Sequence, residues 1–351
     1  MTAGERLKYA VKFAVSHVLY ALGLLQLWQH LVMRRRAVVL MYHRVLTSEE
    51  RGRTGAHPGI VVDRETFARQ MAVLKRRFVV LSLEEFADRM ERNIPFDDSS
   101  CLITFDDGWR DNFTHALPIL QRHGLPALVF LPVNFIGGRR LFWQEALTHL
   151  TIRAVMQARE EPRRCGRLRE RLAAVHLDSV LDLPDEDPRP AIIEAVRRQK
   201  GLAASVIDAT LAGLAGELGI RRDEIDGTDG FLDWEQIEVM SRHGIMFGGH
   251  GAEHRLLTEV STNEARDEIC MAKDVIDGHL KERVPTFSYP NGNWSSDVVD
   301  LVKESGYRFA FTTRRGLVSC EDDRFMVRRM NIHEDMTNSK PMFLARLVGL
   351  F

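Results

Sequence analysis

Cysteine is scarce. Cys101, Cys165, Cys270 and Cys320 lie far apart and form no CxxC pair. A disulfide framework and a thiolate zinc site are therefore both disfavoured, and a reducing compartment fits this usage. Charge of one sign is also lacking. Lys and Arg total 48 against 49 Asp and Glu, for a formal net charge of −1. With no global basic excess to grip a phosphate backbone, no nucleic-acid partner is expected. Neither an internal repeat nor a low-complexity tract is present. General disorder is excluded by a 45% hydrophobic composition with balanced charges. At 351 residues, the chain can bury one barrel-sized core or two smaller ones.

Formal charge is also missing from residues 13–33, with Lys8 and Lys12 before them and Arg34, Arg35 and Arg36 after. The length suits a membrane span of ~20 residues. However, Lys8, Lys12, Ser16, Gln26 and His30 fall on one helical stripe, with Gly23 beside it. Val15, Val18, Leu19, Leu22 and Leu25 cover much of the rest. One wet stripe suits a helix lying on a surface, either a membrane's or its own domain's, better than one crossing lipid. No A-x-A-like cleavage site ends the apolar run. Residues 1–36 are expected to form an amphipathic helix serving as a membrane-surface anchor, in a cytoplasmic protein held at the inner face of the membrane.

After residue 36, short apolar runs alternate with amphipathic stretches. Strands are expected at 37–42, 78–81, 101–105, 127–131, 245–248, 286–289 and 308–312. Helices are expected at 63–77, where Phe67, Met71 and Leu74 share a face, and at 83–92. A third should run over 112–123 and stop at Gly124. Asp233 reads as the N-cap of another, ending at Gly244. Ser261 and Glu264 form a capping-box pattern opening a helix to about residue 281, and one more is expected at 296–305. Strand alternating with helix implies a parallel sheet clad in helices. The expected fold is α/β: a distorted, incomplete (β/α) barrel. Residues ~145–230 break the rhythm. They read as a mainly helical insertion, either a solvated spacer or a lid shaping the substrate site. A catalytic domain over 37–335 and a helical tail over 336–351 complete the division.

Four segments at strand ends carry chemistry. Asp106 and Asp107 follow the apolar Ile103-Thr104-Phe105 and precede Gly108. Two carboxylates there are costly unless something compensates them; a structural turn with a helix cap is the plain alternative. His250 and His254 lie four residues apart, where a helical turn of backbone would aim both at one point. Gly248 and Gly249 before them suggest that the chain bends for a reason. Two imidazoles and a carboxylate make a common open zinc site. Phe287-Ser288-Tyr289-Pro290-Asn291-Gly292 is a strand followed by a turn, and His43 ends the first strand. In a parallel barrel, active residues gather at the C-terminal rim of the strands, and all four segments are expected on that rim.

These motifs resemble those of the polysaccharide deacetylases, the NodB-homology carbohydrate esterases, over residues 37–145 and 230–335. TFDDG (104–108) is similar to the first family motif and the histidine pair to the second. FSYPNG (287–292) resembles the third, in the subfamily with a Tyr-Pro-x-Gly form. The resemblance implies a divalent metal ion, most often Zn2+, held by Asp107, His250 and His254. It implies Asp106 as general base for a metal-activated water, the Tyr289 amide as an oxyanion donor, and His43 as catalytic acid with His333 as rival. Arg329 would orient Asp106. The implied reaction removes N-acetyl or N-formyl groups from amino sugars of a polymeric or lipid-linked glycan. A hydrolase of non-sugar amides, or a silent glycan-binding protein on the same fold, are the alternatives. Trp109, Trp143 and Trp294 near the expected rim suit either sugar stacking or packing. Gly251 and Arg255 depart from the family's usual Ser/Thr and Pro, and Ser288 stands where an Arg is more common. His250→Ala is expected to lose metal affinity. Asp106→Asn is expected to keep the metal and lose turnover, and near wild-type rates in that metal-replete variant would remove Asp106 from the base role.

Overall fold

A computed structural model describes residues 3–184, 187–199, 202–221, 230–280 and 285–351. Part of the 183–190 loop, residues 222–229 of the expected insertion and the expected helix end at 281 lie outside them. The chain divides into two compact units. The first comprises Met1–Ser48, Pro58–Gly137 and Phe231–Phe351, and the second Glu49–His57 and Gly138–Gly230.

The first unit is built on a parallel sheet. Its strands are β1 (Ala37–Tyr42), β4 (Val79–Val80), β5 (Ser100–Phe105), β6 (Ala127–Leu131), β7 (Ile245–Gly249), β8 (Thr286–Ser288), β9 (Phe309–Phe311) and β10 (Met330–Asn331). Their order is β10-β1-β5-β6-β7-β8-β9, with β4 against β5. A separate parallel ribbon joins β2 (Arg44–Leu46) to β3 (Val61–Asp63). Every residue of β1, β5 and β6 is buried, which is why these segments are almost unbroken apolar runs. The sheet is a distorted, incomplete barrel, as expected. The distortion has a local cause: β8 and β9 are three residues long, and β7 meets β8 at the Gly249–Phe287 pair. One run of chain spans the seam between β9 and β1. Ala310 N–H donates to Arg324 O and Thr312 N–H to Val327 O, both at 2.9 Å. Met330 and Asn331 then pair with Leu40 and Met41.

Register sets the strand ends level. Tyr42 pairs with Phe105, Leu131 with Gly249, and Ser288 with Phe311. His43, Asp106, His250 and Tyr289 are thus each the first residue past their strands. The surrounding helices start where capping chemistry places them. Ser82/Glu85, Asp233/Gln236 and Ser261/Glu264 form full capping boxes before Leu83–Glu91, Trp234–Arg242 and Thr262–His279. Gly124, at φ 57°, stops Leu117–His123. Phe67, on Arg64–Arg77, packs edge-on against Tyr42, with ring centroids 5.2 Å apart.

The glycine pair before His250 has a different purpose from a bend. Gly248 and Gly249 are strand residues of β7. A Cβ on Gly248 would overlap Thr286 Oγ1 and stand 2.7 Å from Thr286 O; one on Gly249 would meet Tyr307 Oη at 2.5 Å. They let β8 and a tyrosine approach, so close packing and not curvature selects glycine.

The expected single N-terminal helix is broken. It forms α1 (Ala3–Ala21) and α2 (Leu24–Val32), bent by 90° across Gly23 at φ 73°. The second unit is helical: Trp143–Glu160, Cys165–Ala173, Arg189–Arg197 and Ala204–Leu218. It has its own buried apolar residues, among them Leu147, Leu150, Leu172, Ile192 and Leu214.

Candidate metal centre and active site

Asp106 and Asp107 leave β5 with different backbone conformations. Asp106 keeps strand bonding, its N–H donating to Tyr42 O at 2.9 Å. Asp107 adopts φ 75° and Gly108 φ 62°. This left-handed step, uncommon for a non-glycine residue, separates two adjacent carboxylates and gives each its own partners.

The histidine segment turns just as sharply. His250 N–H continues the ladder to Leu131 O at 2.9 Å. Gly251 then takes φ 76° and His254 φ 56°. The backbone doubles back through left-handed residues, in place of the helical turn expected from the spacing. The two imidazoles end with ring centroids 4.8 Å apart.

Glu268, buried on Thr262–His279, holds this turn. Its Oε2 accepts the N–H groups of Ala252 and Glu253, both at 2.9 Å. That oxygen stands 2.8 Å from where a Cβ on Gly251 would be. A carboxylate from elsewhere in the chain thus caps the turn, and the left-handed φ of 76° at position 251 suits glycine. Arg255 lies 3.8 Å from Glu268 Oε1 and 3.3 Å from Glu264 Oε1. Both departures from the family pattern are therefore tied to the same helix.

Asp107, His250 and His254 meet. Each imidazole Nε2 is 3.4 Å from Asp107 Oδ1, and the three donor atoms lie within 4.8 Å of one another. His250 Nδ1 is 2.8 Å from Ser288 O, a bond that makes Nδ1 the protonated nitrogen and leaves the Nε2 lone pair for a ligand. Asp107 Oδ2 accepts from Trp109 Nε1 at 3.0 Å. Burial opposes charge on Asp107, but the bond from His250 and the charges of His254 and His43 hold its carboxyl far below the ordinary range. Burial and neighbouring His250 push His254 down to about 4, so it is neutral at neutral pH. Burial also works against a proton on His250, yet the Asp107 bond and both carboxylates outweigh it and raise its pKa. One ionised carboxylate and two imidazole nitrogens converging on one point fit a divalent metal with an open coordination side.

Asp106 has a separate counter-charge. Arg329 Nη1 donates to its Oδ1 and Nη2 to its Oδ2, both at 2.7 Å, and both residues are almost wholly buried. Arg329 is itself fixed by Nε to Thr312 O at 3.0 Å and Nη2 to Ser288 Oγ at 2.9 Å. Burial would raise the Asp106 pKa, but Arg329 and His250 more than reverse that and keep it ionised. Ser288 thus acts at both centres, through its hydroxyl on Arg329 and its carbonyl on His250.

His43 is positioned by residues that strand-end reasoning missed. Asn112 Nδ2 donates to His43 O at 2.8 Å, and Val45 N–H to Asp111 Oδ1 at 2.7 Å. Arg44 Nε binds Asp111 Oδ2 at 2.9 Å, with its guanidinium 4.4 Å from the Trp109 ring centroid. The stretch from Asp106 to Asn112 therefore supplies both the carboxylates and the clamp on His43. His43 is among the charges felt by Asp106, Asp107 and His254. His333 occupies the N-cap position of Glu334–Thr337, its carbonyl accepting from Thr337 Oγ1 at 2.7 Å. One expected role fails: the Tyr289 amide donates to Phe311 O at 3.1 Å, and its hydroxyl to Phe325 O, also at 3.1 Å. Sheet pairing uses the N–H that an oxyanion would need. Trp109, fully buried and stacked on Phe231 at 4.6 Å, cannot be a sugar platform.

The sequence profile of the polysaccharide deacetylase family matches residues 93–150 and 201–310. The chain is similar to YxkH of Bacillus subtilis, whose deacetylase name is a provisional assignment, with 18% identity over 302 residues, or 86% of this chain and 73% of that protein. Among solved structures it is similar to the Streptococcus pyogenes deacetylase PplD in complex with acetate, with TM-score 0.55 and 17% identity, covering 86% of this chain and 95% of that one. It is likewise similar to IcaB from Ammonifex degensii, with TM-score 0.55 and 17% identity, covering 90% and 97%. Glu268→Gln is expected to weaken metal binding by about 10–100-fold, since it loosens the turn that aims His254. Isothermal titration checks this, and an unchanged affinity would deny Glu268 its positioning role.

Proposed function

Because the chain belongs to the polysaccharide deacetylase family, we propose that it hydrolyses the amide of N-acetylated amino sugars in a glycan, with Zn2+ as cofactor. The observation that carries this reading is the meeting of Asp107, His250 and His254 beside an Asp106 locked to Arg329. One carboxylate and two imidazoles are a preferred donor set for zinc. Acetate, the acid that N-acetyl hydrolysis releases, is the molecule in the PplD complex, and it favours acetyl over formyl.

An amide resists water, and a bound divalent ion lowers the pKa of nearby water and polarises the acyl carbonyl. The chain's own residues do the rest. Asp106 accepts the proton of the attacking water. Arg329 donates one hydrogen bond to each Asp106 oxygen, so the carboxylate stays ionised and correctly turned. His43 gives a proton to the departing amine, and the Asp111–Asn112 clamp fixes the strand end that carries it. His254, neutral with a pKa of about 4, keeps its lone pair for the ion throughout the working range.

The direct test is acetate release from a panel of N-acetylated glycans by zinc-loaded protein; release that survives complete metal removal would overturn the proposal. The pH dependence is equally specific. A proton and a metal compete for His250, whose pKa is raised by Asp107 and Asp106. Zinc affinity should therefore weaken as pH falls, beginning above the ordinary histidine value of about 6.5. Asp106→Asn removes one charge that raises it, and should move the loss to lower pH. Chelator competition across the range checks both, and a flat affinity from about pH 8 to pH 5 would contradict them.

A further inference from the structure

The N-terminal helices carry their amphipathic pattern inside out. In α1, Tyr9, Lys12 and Ser16 face the protein, while Arg6 and Lys8 are exposed. Tyr9 Oη donates to Asn338 Oδ1 at 3.3 Å, Lys12 Nζ reaches Met336 Sδ at 3.8 Å, and Ser16 is completely buried. The outward stripe is Leu7, Val11, Val15, Val18 and Leu22, between 39 and 67% exposed. In α2, Leu24, Leu27, Trp28 and Leu31 continue it at 46 to 60%. An apolar groove of about 330 Å³ runs beside Leu19, Leu27 and Trp28. A continuous apolar surface of this kind marks something that covers it.

Charge identifies the cover. Residues 1–36 hold six basic side chains, Arg6, Lys8, Lys12, Arg34, Arg35 and Arg36, against the single acidic Glu5, in a chain whose total is −1. Arg77 and Lys340 add to them near the bend, 5.9 and 5.1 Å from the Tyr20 ring centroid. No single described helix is long and apolar enough to cross a bilayer; α1 and α2 reach that length and hydropathy only together, and their 90° bend lets both lie in one plane. An exposed tryptophan between leucines and arginines matches the headgroup boundary. A second copy docked on the same face would bring the two basic rims together, which like charges oppose.

We propose that α1 and α2 lie flat on an anionic lipid bilayer, with Leu22, Leu27 and Trp28 among the upper acyl chains and the arginines on lipid phosphates. The site described above has no part in this inference, so either can fail alone. The test is co-sedimentation of the full-length protein with vesicles of phosphatidylcholine and phosphatidylglycerol in equal amounts, against phosphatidylcholine alone. Binding to the anionic vesicles is expected, weakened by high salt and by Arg34→Glu with Arg36→Glu. Leu27→Gln with Trp28→Gln should reduce it about 100-fold or more, while acetate release from a soluble glycan stays unchanged. If that apolar pair disturbs the fold by circular dichroism, the exposed arginine pair carries the test. Absence of vesicle binding, binding unaffected by both pairs, or a dimer by light scattering that the apolar pair disperses, would each overturn the proposal.

Discussion

Two neighbouring carboxylates are held almost dry at the end of one strand, and the architecture of the site follows from neutralising them separately. A buried charge stripped of its partner typically costs about 3–5 kcal/mol. Asp106 has a two-pronged guanidinium from the seam of the sheet; Asp107 has imidazoles, an indole N–H and the place for a cation. The left-handed step at Asp107 accompanies this division of partners. Ser288 joins the halves, since its hydroxyl and carbonyl bind Arg329 and His250.

Much of this was legible in the sequence, for reasons that can be named. Buried parallel strands are plain apolar runs, and capping boxes at Asp233 and Ser261 announce helix starts. Level register then brings the residue after each strand to one rim, so strand ends alone group His43, Asp106 and His250. The Arg329 contact has no local sequence signal, because it depends on the run after residue 324 following β9 and then passing to β1.

Other contacts were hidden because they act at long range through backbone groups. The Glu268 cap reaches residues fifteen and sixteen positions away, a distance that no local pattern announces. The Tyr289 amide looked available because a motif does not reveal which N–H groups the sheet consumes. The N-terminal stripe does not run along one helix, because the chain breaks at Gly23; the direction of its first part depends on which surface Tyr9, Lys12 and Ser16 meet. They meet the protein, which turns the leucines outward.

The central claim is one cation shared by Asp107, His250 and His254. Anomalous diffraction from crystals grown with stoichiometric zinc tests it most directly. The account predicts one strong peak about 2.0–2.2 Å from an Asp107 carboxylate oxygen and from both Nε2 atoms. A protein that binds zinc elsewhere, or leaves His254 turned away from the ion, would contradict it.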